Sequence, residues 1–456
     1  MKLPMPPIAI LLIAGLALRL LLAYVLLPDS GHLGDMRYYS RWITALVSVG
    51  PGDFYAKTAA NYPPGYLYIF WLIGVVSRAI ASVTGGDAQH IAVELIKIPP
   101  IFLDVGGGFL AYRIIKLWSG ESSVCDRTAR VAAAIYLFNP ALIYDSAIWG
   151  QTDAAGAFVM LLGVLALLAG PPEIAACVAV ISGLLKPQFG VVLAPIIGTV
   201  LLKRYLVRFQ RWEALLTKHY WMSQNGPVRL LSSAAVGMGV FYLLALPFNQ
   251  GLRTFFYHMA ETAGDYNILS MNAFNPWALM GTDKPSIVFG GVENYSSDDI
   301  PLLGSVTGVM IGTVVLIAGF ALGVARLIRR SDLWSITLVG AYLSLCFFIL
   351  PTRVHERYLL PAFAFFALLA ALDPKWLWAT VVLAIGSLIN LHAVLSNIGT
   401  RNVAQLPLGE FFRSPTGILT SIVLQTAVFI FCALSLFSKP APLPLKTCQA
   451  LFPVQR

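Results

Sequence analysis

Long apolar runs recur along the whole chain and constrain its fold more than any other feature. They lie at 7–27, 63–82, 93–117, 129–148, 153–170, 174–185, 188–202, 229–247, 304–327, 334–350, 358–372, 376–397 and 416–437. A helix needs about 20 apolar residues to cross a bilayer, and many of these runs are near that length. Only 12% of the residues are charged, whereas soluble domains carry about 25%. The sequence therefore predicts an all-α polytopic membrane protein with about 12–13 transmembrane helices.

The net charge of +9 is concentrated between the apolar runs rather than spread over a soluble surface. Basic residues between spans mark the cytoplasmic side, where they face anionic lipid, so we expect no nucleic-acid partner. The five cysteines are scattered and show no metal-ligand spacing. We therefore expect neither a disulfide nor a cysteine-held metal.

The basic clusters set the orientation of the predicted spans. They lie at 113–130, 203–229, 326–330 and beyond 439, and the positive-inside rule places all four in the cytoplasm. This requires that one of the first apolar runs after 7–27 does not cross. The segment 62–81 opens with Tyr-Pro-Pro and is rich in Tyr and Trp, which suits an interfacial or re-entrant helix. We predict that it stays outside, with both termini inside.

The predicted organisation has two membrane modules and no soluble domain. The parts are a membrane module 1–202 with a first external loop 28–92, a basic cytoplasmic loop 203–228, a second membrane module 229–437 with an external loop 248–303, and a cytoplasmic tail 438–456. The first apolar run has no small-residue cleavage site, so we interpret it as a retained span rather than a signal peptide.

In this topology the unusual polar stretches fall on one side of the membrane. They are 34–39, 61–64, 149–153, 186–188, 272–275 and 353–358. Ionisable residues at span ends are costly unless they are paired or solvated, so these stretches are candidates for function. Two of them have an equally simple structural interpretation. Asp35 is also explained as a loop acid paired with Arg37 or Arg41, and Lys186 as a lysine that extends its amine to the interface.

Two further stretches also have structural alternatives. The segment 149–153 fits an aromatic anchor followed by a helix cap, and Asn272 and Asn275 fit turn formers. The segment 353–358 is harder to explain without function, because it places arginines and a histidine before an apolar run. Arginine binds phosphate through paired hydrogen bonds, so this positive spot suits a phosphate headgroup.

One candidate base and several cations on the same side imply group transfer from a lipid phosphate. Asp35 can take a proton from an attacking hydroxyl, and cations can stabilise the departing phosphate. The sequence contains no Gly-rich nucleotide loop of the GxxxxGK[ST] kind. A polyprenyl-phosphate donor therefore fits the residues better than a nucleotide.

These motifs together resemble the GT-C superfamily of integral-membrane glycosyltransferases. Within it the chain is most similar to the dolichyl-phosphate-glucose-dependent glucosyltransferases of asparagine-linked glycosylation and to their bacterial relatives. The motifs that carry the resemblance are Gly34-Asp35 with Arg41-Trp42, Tyr62-Pro63-Pro64, Asn139-Pro140, Trp149-Gly150-Gln151, Lys186-Pro187-Gln188 and Val354-His355-Glu356-Arg357. Their order and spacing agree from the start of the chain to residue 372.

The resemblance implies a GT-C fold with juxtamembrane helices in the first external loop and inverting transfer at the external face. It implies that Asp35 is the general base and that His355 and Arg357 contact the donor phosphate, helped by Arg353 and Lys186. Related oligosaccharyltransferases hold a metal near the position of Asp153, but the glucosyltransferase branch works without one. We therefore expect no metal and no cofactor. Further substrate-binding candidates are Arg37, Tyr62, Trp149, Gln151, Asp153, Gln188, Asn272 and Glu356.

The predicted function is hexosyl transfer, by a mannosyltransferase or glucosyltransferase, from a polyprenyl-phosphate sugar to a lipid-linked or other membrane-proximal acceptor. We expect a monomer in a bacterial cytoplasmic (inner) membrane with its site on the external face. The alternative is a transporter or flippase for a lipid-linked sugar, which predicts two related halves and charges at mid-membrane. A phosphoethanolamine-type transferase would carry a large soluble domain. The charges at the external span ends favour the glycosyltransferase.

Overall fold

The computed structural model describes residues 6–119, 123–206 and 226–438. Most of the predicted cytoplasmic loop 203–228 and tail 438–456 lie outside these residues. Within the described residues the secondary structure is helical except for a short antiparallel pair, β1 (Pro301–Leu303) and β2 (Val306–Thr307). The all-α prediction is therefore confirmed.

The helices, in chain order, are α1 (Ile8–Leu21), α2 (Leu33–Lys57), α3 (Pro64–Thr84), α4 (Ala88–Leu95), α5 (Ile98–Ser119), α6 (Ser123–Leu137), α7 (Pro140–Ile143), α8 (Ala154–Ala169), α9 (Pro172–Leu185), α10 (Pro187–Tyr205), α11 (Val228–Ala245), α12 (Leu252–Gly264), α13 (Ile287–Gly290), α14 (Gly308–Arg329), α15 (Leu333–Ile349), α16 (Ala362–Leu372), α17 (Lys375–Ile398), α18 (Arg401–Ala404), α19 (Gly409–Arg413) and α20 (Pro415–Ser435). Two π-helical segments, Leu22–Leu26 and Tyr144–Trp149, continue α1 and α7.

The apolar helices form an integral membrane bundle. In the described residues six helices are long and apolar enough to cross a membrane, namely α1 with its π segment, α3, α11, α14, α17 and α20. A seventh span forms if α6 and α7, which are bent by 47° at their junction, count as one. Four further apolar helices, α8, α9, α15 and α16, are shorter, with 10–17 residues each. Twelve crossings would also need these helices, α5 and α10 as spans, and would leave out α3, so that number stays a prediction.

The bundle has a protein-enclosed interior and a lipid-exposed periphery. Nearly every residue of α15 and α16 is buried against neighbouring helices. By contrast, only 17% of the apolar window of α14 is buried inside the protein. A helix that is apolar all round belongs in a core, and one with a bare apolar surface belongs against lipid. This explains why the 11-residue α16 is tolerated as a short span.

The helix α3 packs against α2 and α4, and it also contacts α9 and α11. The eight-residue α4 follows α3 at once, and its Gln89 donates a hydrogen bond to Ser40 of α2 at 3.1 Å. Lys97, just after α4, donates to Ser30 at 2.7 Å. A helix of eight residues rises only about 12 Å, too little to return across a bilayer. These contacts favour the prediction that 62–81 stays on one side, although α3 is long and apolar enough to span.

A buried ion pair ties the first span to two later ones. Arg19 donates through Nε to Asp104 at 3.1 Å, and both side chains are fully buried. The same guanidinium donates through Nη1 to the carbonyl of Leu137 at 2.9 Å. Inside a membrane such charges are stable only when paired. The pair therefore fixes α1 against α5 and the end of α6.

Among the described residues, the long connections gather at one end of the bundle. This loop-rich end holds α2–α4 and the segments 249–307, 350–361 and 399–414. The opposite end holds the short connections 170–171, 330–332 and 373–374. The helices deliver their polar termini to the loop-rich end, and the candidate site lies there.

Candidate active site

Asp35 lies in the first turn of α2 and accepts hydrogen bonds from two side chains of the 149–151 turn. Its Oδ2 accepts from Trp149 Nε1 at 3.1 Å and from the amide of Gln151. Arg37 and Arg41 are exposed, so the structure contradicts the alternative that Asp35 is a loop acid paired with them. The carboxyl side chain is 19% exposed. The Asp35 carboxyl group is thus held in one orientation, and part of it remains accessible to a substrate.

The 149–151 turn is shaped by the π segment before it. The N–H groups of Gly150 and Gln151 both donate to the carbonyl of Asp145, at 2.9 and 3.1 Å. Gly150 has a φ of 78°, in the left-handed region, which glycine adopts without strain. A methyl group there would also lie 3.1 Å from Met36 and 3.3 Å from Lys97. The wide π turn and the glycine together aim Trp149 and Gln151 at Asp35, and π segments are common at functional sites.

A chain of hydrogen bonds ends at the side-chain oxygen of Gln151 and fixes the orientation of its amide. Tyr39 donates its hydroxyl proton to Gln151 Oε1 at 2.8 Å. Tyr39 has only one proton, so Tyr62 must donate to Tyr39 across their 2.8 Å contact, and Thr152 must donate to Tyr62 at 3.2 Å. With Oε1 occupied as an acceptor, the amide nitrogen of Gln151 faces Asp35. The chain therefore fixes the amide N–H of Gln151 as a donor to the Asp35 carboxyl group.

Two buried cations share the carboxylate of Asp153. Lys186, at the break between α9 and α10, lies 2.9 Å from Asp153 Oδ2, and Arg357 Nε lies 3.6 Å from the same oxygen. Arg357 also binds Glu356 at 2.6 Å. The structure thus confirms that Lys186, Arg357, Glu356 and Asp153 come together. Asp153 is fully buried, so its contacts indicate a counter-ion to the cations rather than the predicted substrate ligand.

The charge states follow from these contacts, which lie between the spans rather than within them. Burial lowers the pKa of Arg357, but Glu356, Asp35 and Asp153 raise it well above its usual range overall. Burial likewise lowers the pKa of Lys186, and Asp153 and Tyr62 more than reverse this. Burial, Arg357 and Lys186 hold the pKa of His355 well below its usual range. The site therefore offers two stable cations and a neutral imidazole at neutral pH.

A cavity of about 320 Å³ opens beside this charged cluster. Its polar wall is formed by Tyr62, Lys186, Gln188, His355 and Arg357. Its apolar wall includes Val191, Met259, Phe347, Pro351 and Tyr358. One wall suits an anionic headgroup and the other suits a hydrocarbon chain. Buried Gln188 adds an amide nitrogen with no partner in the described residues, which is available to a bound ligand.

Trp149 connects the cavity cluster to Asp35. The guanidinium carbon of Arg357 lies 6.0 Å from the centre of the Trp149 ring, in cation–π geometry. The Nε1 of the same indole binds Asp35. Asp35 is not among the residues that line the cavity. The candidate base and the candidate phosphate ligands therefore occupy two sides of one tryptophan.

Arg353 does not join the phosphate-directed group. Its Nε and Nη2 bind the two oxygens of Asp298 at 2.7 and 3.0 Å, and Nη2 also binds Asp299 at 3.1 Å. Its Nη1 donates to the carbonyl of Ala263 at 3.0 Å. Four of its five donors are thus used within the protein. These bonds favour a structural role for Arg353, which holds the end of α12 to the 298–299 segment, over the predicted donor-phosphate role, and the residue also lines the cavity.

Two other predicted substrate contacts are also placed elsewhere. Arg37 is exposed and lies two residues from Asp35, which puts it on the opposite face of α2. Asn272 is buried, donates to the hydroxyl of Tyr295 at 2.9 Å and accepts the Glu293 N–H at 2.8 Å. Its φ of 58° is left-handed. The turn-former alternative therefore fits Asn272 better than a substrate role.

Two residues that bear on Asp35 were not named as site residues from the sequence: Tyr39, although it lies in the 34–39 stretch, and His32. Tyr39 lies one helical turn beyond Asp35, so helix periodicity would have placed it on the same face. His32 precedes α2 and caps it through Nδ1, and no motif marks that role. In the described residues no three His, Cys, Asp or Glu side chains are grouped to hold a metal ion. Metal independence remains a prediction.

Comparisons with known proteins give a distant structural likeness. No protein-family model and no curated protein matches the sequence. The structure is similar to that of ArnT from Cupriavidus metallidurans bound to undecaprenyl phosphate, with a TM-score of 0.42 and 14% identity, covering 94% of this chain and 76% of ArnT. It is similar to apo ArnT from the same organism, with a TM-score of 0.42 and 15% identity, covering 93% of this chain and 76% of that one. At this level the likeness carries no argument about mechanism.

Proposed function

We propose that this membrane protein is an inverting glycosyltransferase that uses a polyprenyl-phosphate-linked sugar, with Asp35 as general base. The observation that carries the proposal is the pairing, across Trp149, of an oriented carboxylate with the Lys186–Arg357 cation pair. The ordered motifs that resemble GT-C enzymes support the same conclusion. The sugar is a hexose, and the acceptor is a lipid-linked or other membrane-proximal hydroxyl.

The donor phosphate would bind at the polar wall of the cavity. Lys186 and Arg357 supply positive charge, and the neutral imidazole of His355 supplies a hydrogen-bonding group. The polyprenyl chain would leave along the apolar wall toward the lipid. Lys186 and Arg357 already share Asp153, so the site is assembled before the donor arrives and little side-chain order must be created on binding.

Transfer would then be a single displacement at the anomeric carbon. The acceptor oxygen forms a bond to that carbon while the bond from the carbon to the phosphate oxygen breaks. The hydroxyl proton passes to the Asp35 carboxylate. The electron pair leaves with the polyprenyl phosphate, whose charge Lys186 and Arg357 stabilise. Attack from the Asp35 side and departure on the cation side would invert the anomeric configuration.

The sign of the loop charges supports an external site. The segment 248–303 carries Glu261, Asp265, Asp283, Glu293, Asp298 and Asp299. The opposite end carries the clusters at 113–130 and 326–330. The positive-inside rule therefore places the site on the external face, which in a bacterium is the outer face of the cytoplasmic membrane.

The test is a transfer assay with purified protein and a panel of polyprenyl-phosphate hexoses and membrane acceptors. We expect release of polyprenyl phosphate that depends on both donor and acceptor. Arg357→Gln should weaken donor binding by about tenfold or more, because it removes a charge-assisted phosphate contact. Movement of lipid-linked sugar across liposomes without any transfer would favour the flippase and contradict the proposal.

A further inference from the structure

His32 caps the helix that carries Asp35, and it does so in an unusual way. The backbone N–H of Asp35 donates to His32 Nδ1 at 3.0 Å. Serine, threonine, aspartate and asparagine are the usual side chains at this position, because their oxygens accept such bonds at any pH. An imidazole accepts only while Nδ1 carries no proton. The cap of α2 is therefore titratable.

The imidazole is held in place by two neighbours. Its ring stacks on Trp149, with centroids 5.9 Å apart and planes 8° from parallel. Gly34 also lies close to the ring, since an added methyl group there would stand 2.8 Å from His32 Cε1. The side chain is 19% exposed, so solvent protons reach it. A fixed and accessible imidazole is suited to a defined change on protonation.

The same ring nitrogen that caps α2 also lies near the base. Nδ1 is 3.4 Å from Asp35 Oδ2. When Nδ1 is unprotonated, its lone pair accepts the Asp35 N–H and leaves the carboxylate free. When Nδ1 gains a proton it can no longer accept, and the adjacent carboxylate becomes its partner. One proton thus converts a helix cap into an ion pair with the candidate base.

We infer that His32 is a positioning residue whose neutral form keeps Asp35 available as a base and whose protonation engages that carboxylate and stops transfer. This rests on the proposed function of Asp35. It gives the reaction an acidic limit set by His32 in addition to any limit set by Asp35 itself. A side chain at position 32 that still caps α2 but cannot take a proton should therefore keep the enzyme active at lower pH.

The other charged and titratable groups around His32 are few. Asp35 faces it from α2 itself, and Arg357 lies across Trp149. Lys97 lies beside Gly150, and Arg401 follows Gly399, whose backbone pairs with that of His32. His355 interacts with His32 electrostatically, but burial and neighbouring cations hold its pKa well below the usual range. His355 therefore stays neutral where a surface histidine would titrate.

The decisive comparison is the pH profile of kcat/KM for wild type, His32→Asn and His32→Ala. Asparagine keeps an acceptor for the Asp35 N–H but cannot take a proton there. We expect wild-type activity to fall about tenfold per pH unit on the acid side, as for a single protonation. His32→Asn should match wild type at pH 8 within about threefold and keep its activity to lower pH. His32→Ala should be slower at every pH, because the cap is lost.

An unchanged acid midpoint in His32→Asn would overturn the inference. A second measurement does not depend on transfer at all. With ¹⁵N-labelled histidine, His32 Nδ1 should be unprotonated at pH 8, and Asp35→Asn should lower the His32 midpoint because it removes the anionic partner. If no donor supports transfer but this shift occurs, the proposed function fails and the His32–Asp35 coupling stands. An Asp35→Asn variant with an unshifted His32 midpoint would refute the coupling.

Discussion

At the scale of single residues, the role of each side chain depends on whether its hydrogen-bond donors and acceptors are already paired within the protein. Asp35 receives two side-chain donors, and its backbone N–H is capped by His32. Arg353 has the composition of a phosphate ligand, but its donors are spent on Asp298, Asp299 and Ala263. The groups available to a substrate are therefore those without a protein partner, such as the amide nitrogen of Gln188.

Gly34→Ala tests the space that the imidazole occupies. A methyl 2.8 Å from His32 Cε1 must displace the ring from the cap. We expect transfer to fall about tenfold, roughly the effect of losing an N-cap and the alignment it gives, with donor affinity within twofold of wild type. The shorter asparagine should relieve the clash, so Gly34→Ala should cost little in a His32→Asn background. An equal loss in both backgrounds would contradict this account.

Arg353→Gln and Arg357→Gln form a matched pair that separates structure from binding. Arg353→Gln leaves fully buried Asp298 without its main partner, which typically costs about 3 kcal/mol of unfolding free energy. We expect a lower melting temperature with donor affinity unchanged. Arg357→Gln should weaken donor binding more than Arg353→Gln does. Thermal unfolding and donor titration in the same detergent distinguish a loss of stability from a loss of donor binding. A weakened donor affinity in Arg353→Gln would support its predicted phosphate role.

Sequence reasoning found part of the site for a definite physical reason. Charged residues at span ends are rare and costly, so Asp35, Lys186 and Arg357 stood out. It could not tell that Arg353 is paired internally, because residue spacing does not show which acceptors lie nearby. It missed His32 because histidine is an uncommon cap and the Trp149 ring that holds it is distant in sequence.

At the scale of elements, charge parity and hydropathy give different positions for α3. Its length and composition suit a span, yet the short α4 and the Gln89–Ser40 contact keep its end near α2. The bend between α6 and α7 and the π segment after it were not foreseen. Ala147 of the π segment packs with Ala23 and Ile101, which are distant in sequence, and periodicity does not reveal such contacts.

A labelling experiment tests the position of α3. Val83, near its end, is 87% exposed. In a background without the five native cysteines, we expect Val83→Cys to react with an impermeant maleimide in intact spheroplasts. Arg330→Cys, on the opposite end, should react only after permeabilisation. If Val83→Cys also requires permeabilisation, α3 crosses the membrane and the parity argument is wrong.

The Arg19–Asp104 pair tests how α1 is held to the bundle. Arg19→Ala leaves a fully buried carboxylate unpaired, and such a change typically costs about 3–5 kcal/mol. Arg19→Met with Asp104→Leu removes both charges and should recover most of the stability. The control is Lys375→Gln in the partly exposed Lys375–Asp373 pair, with an expected loss below about 1 kcal/mol. Equal losses for Arg19→Ala and the control would show that the buried pair does not hold α1.

At the scale of the whole molecule, the bundle supports a fixed site at its loop-rich end. The enclosed α15 and α16 flank the 350–361 segment with His355 and Arg357, while α2 carries Asp35 and the π segment after α7 carries Trp149. A rigid core thus positions groups that are far apart in the sequence. Twelve alternating crossings would return both site segments to the same face, and that topology stays a prediction.

The most direct test of the central claim compares wild type with Asp35→Asn in single-turnover transfer and in donor binding. Asparagine can still accept the bond from Trp149 Nε1, but it cannot take a proton from the acceptor. We expect the transfer rate to fall by about 10²-fold or more, with donor affinity within about threefold because the phosphate ligands are untouched. Transfer by Asp35→Asn at the wild-type rate would contradict the account.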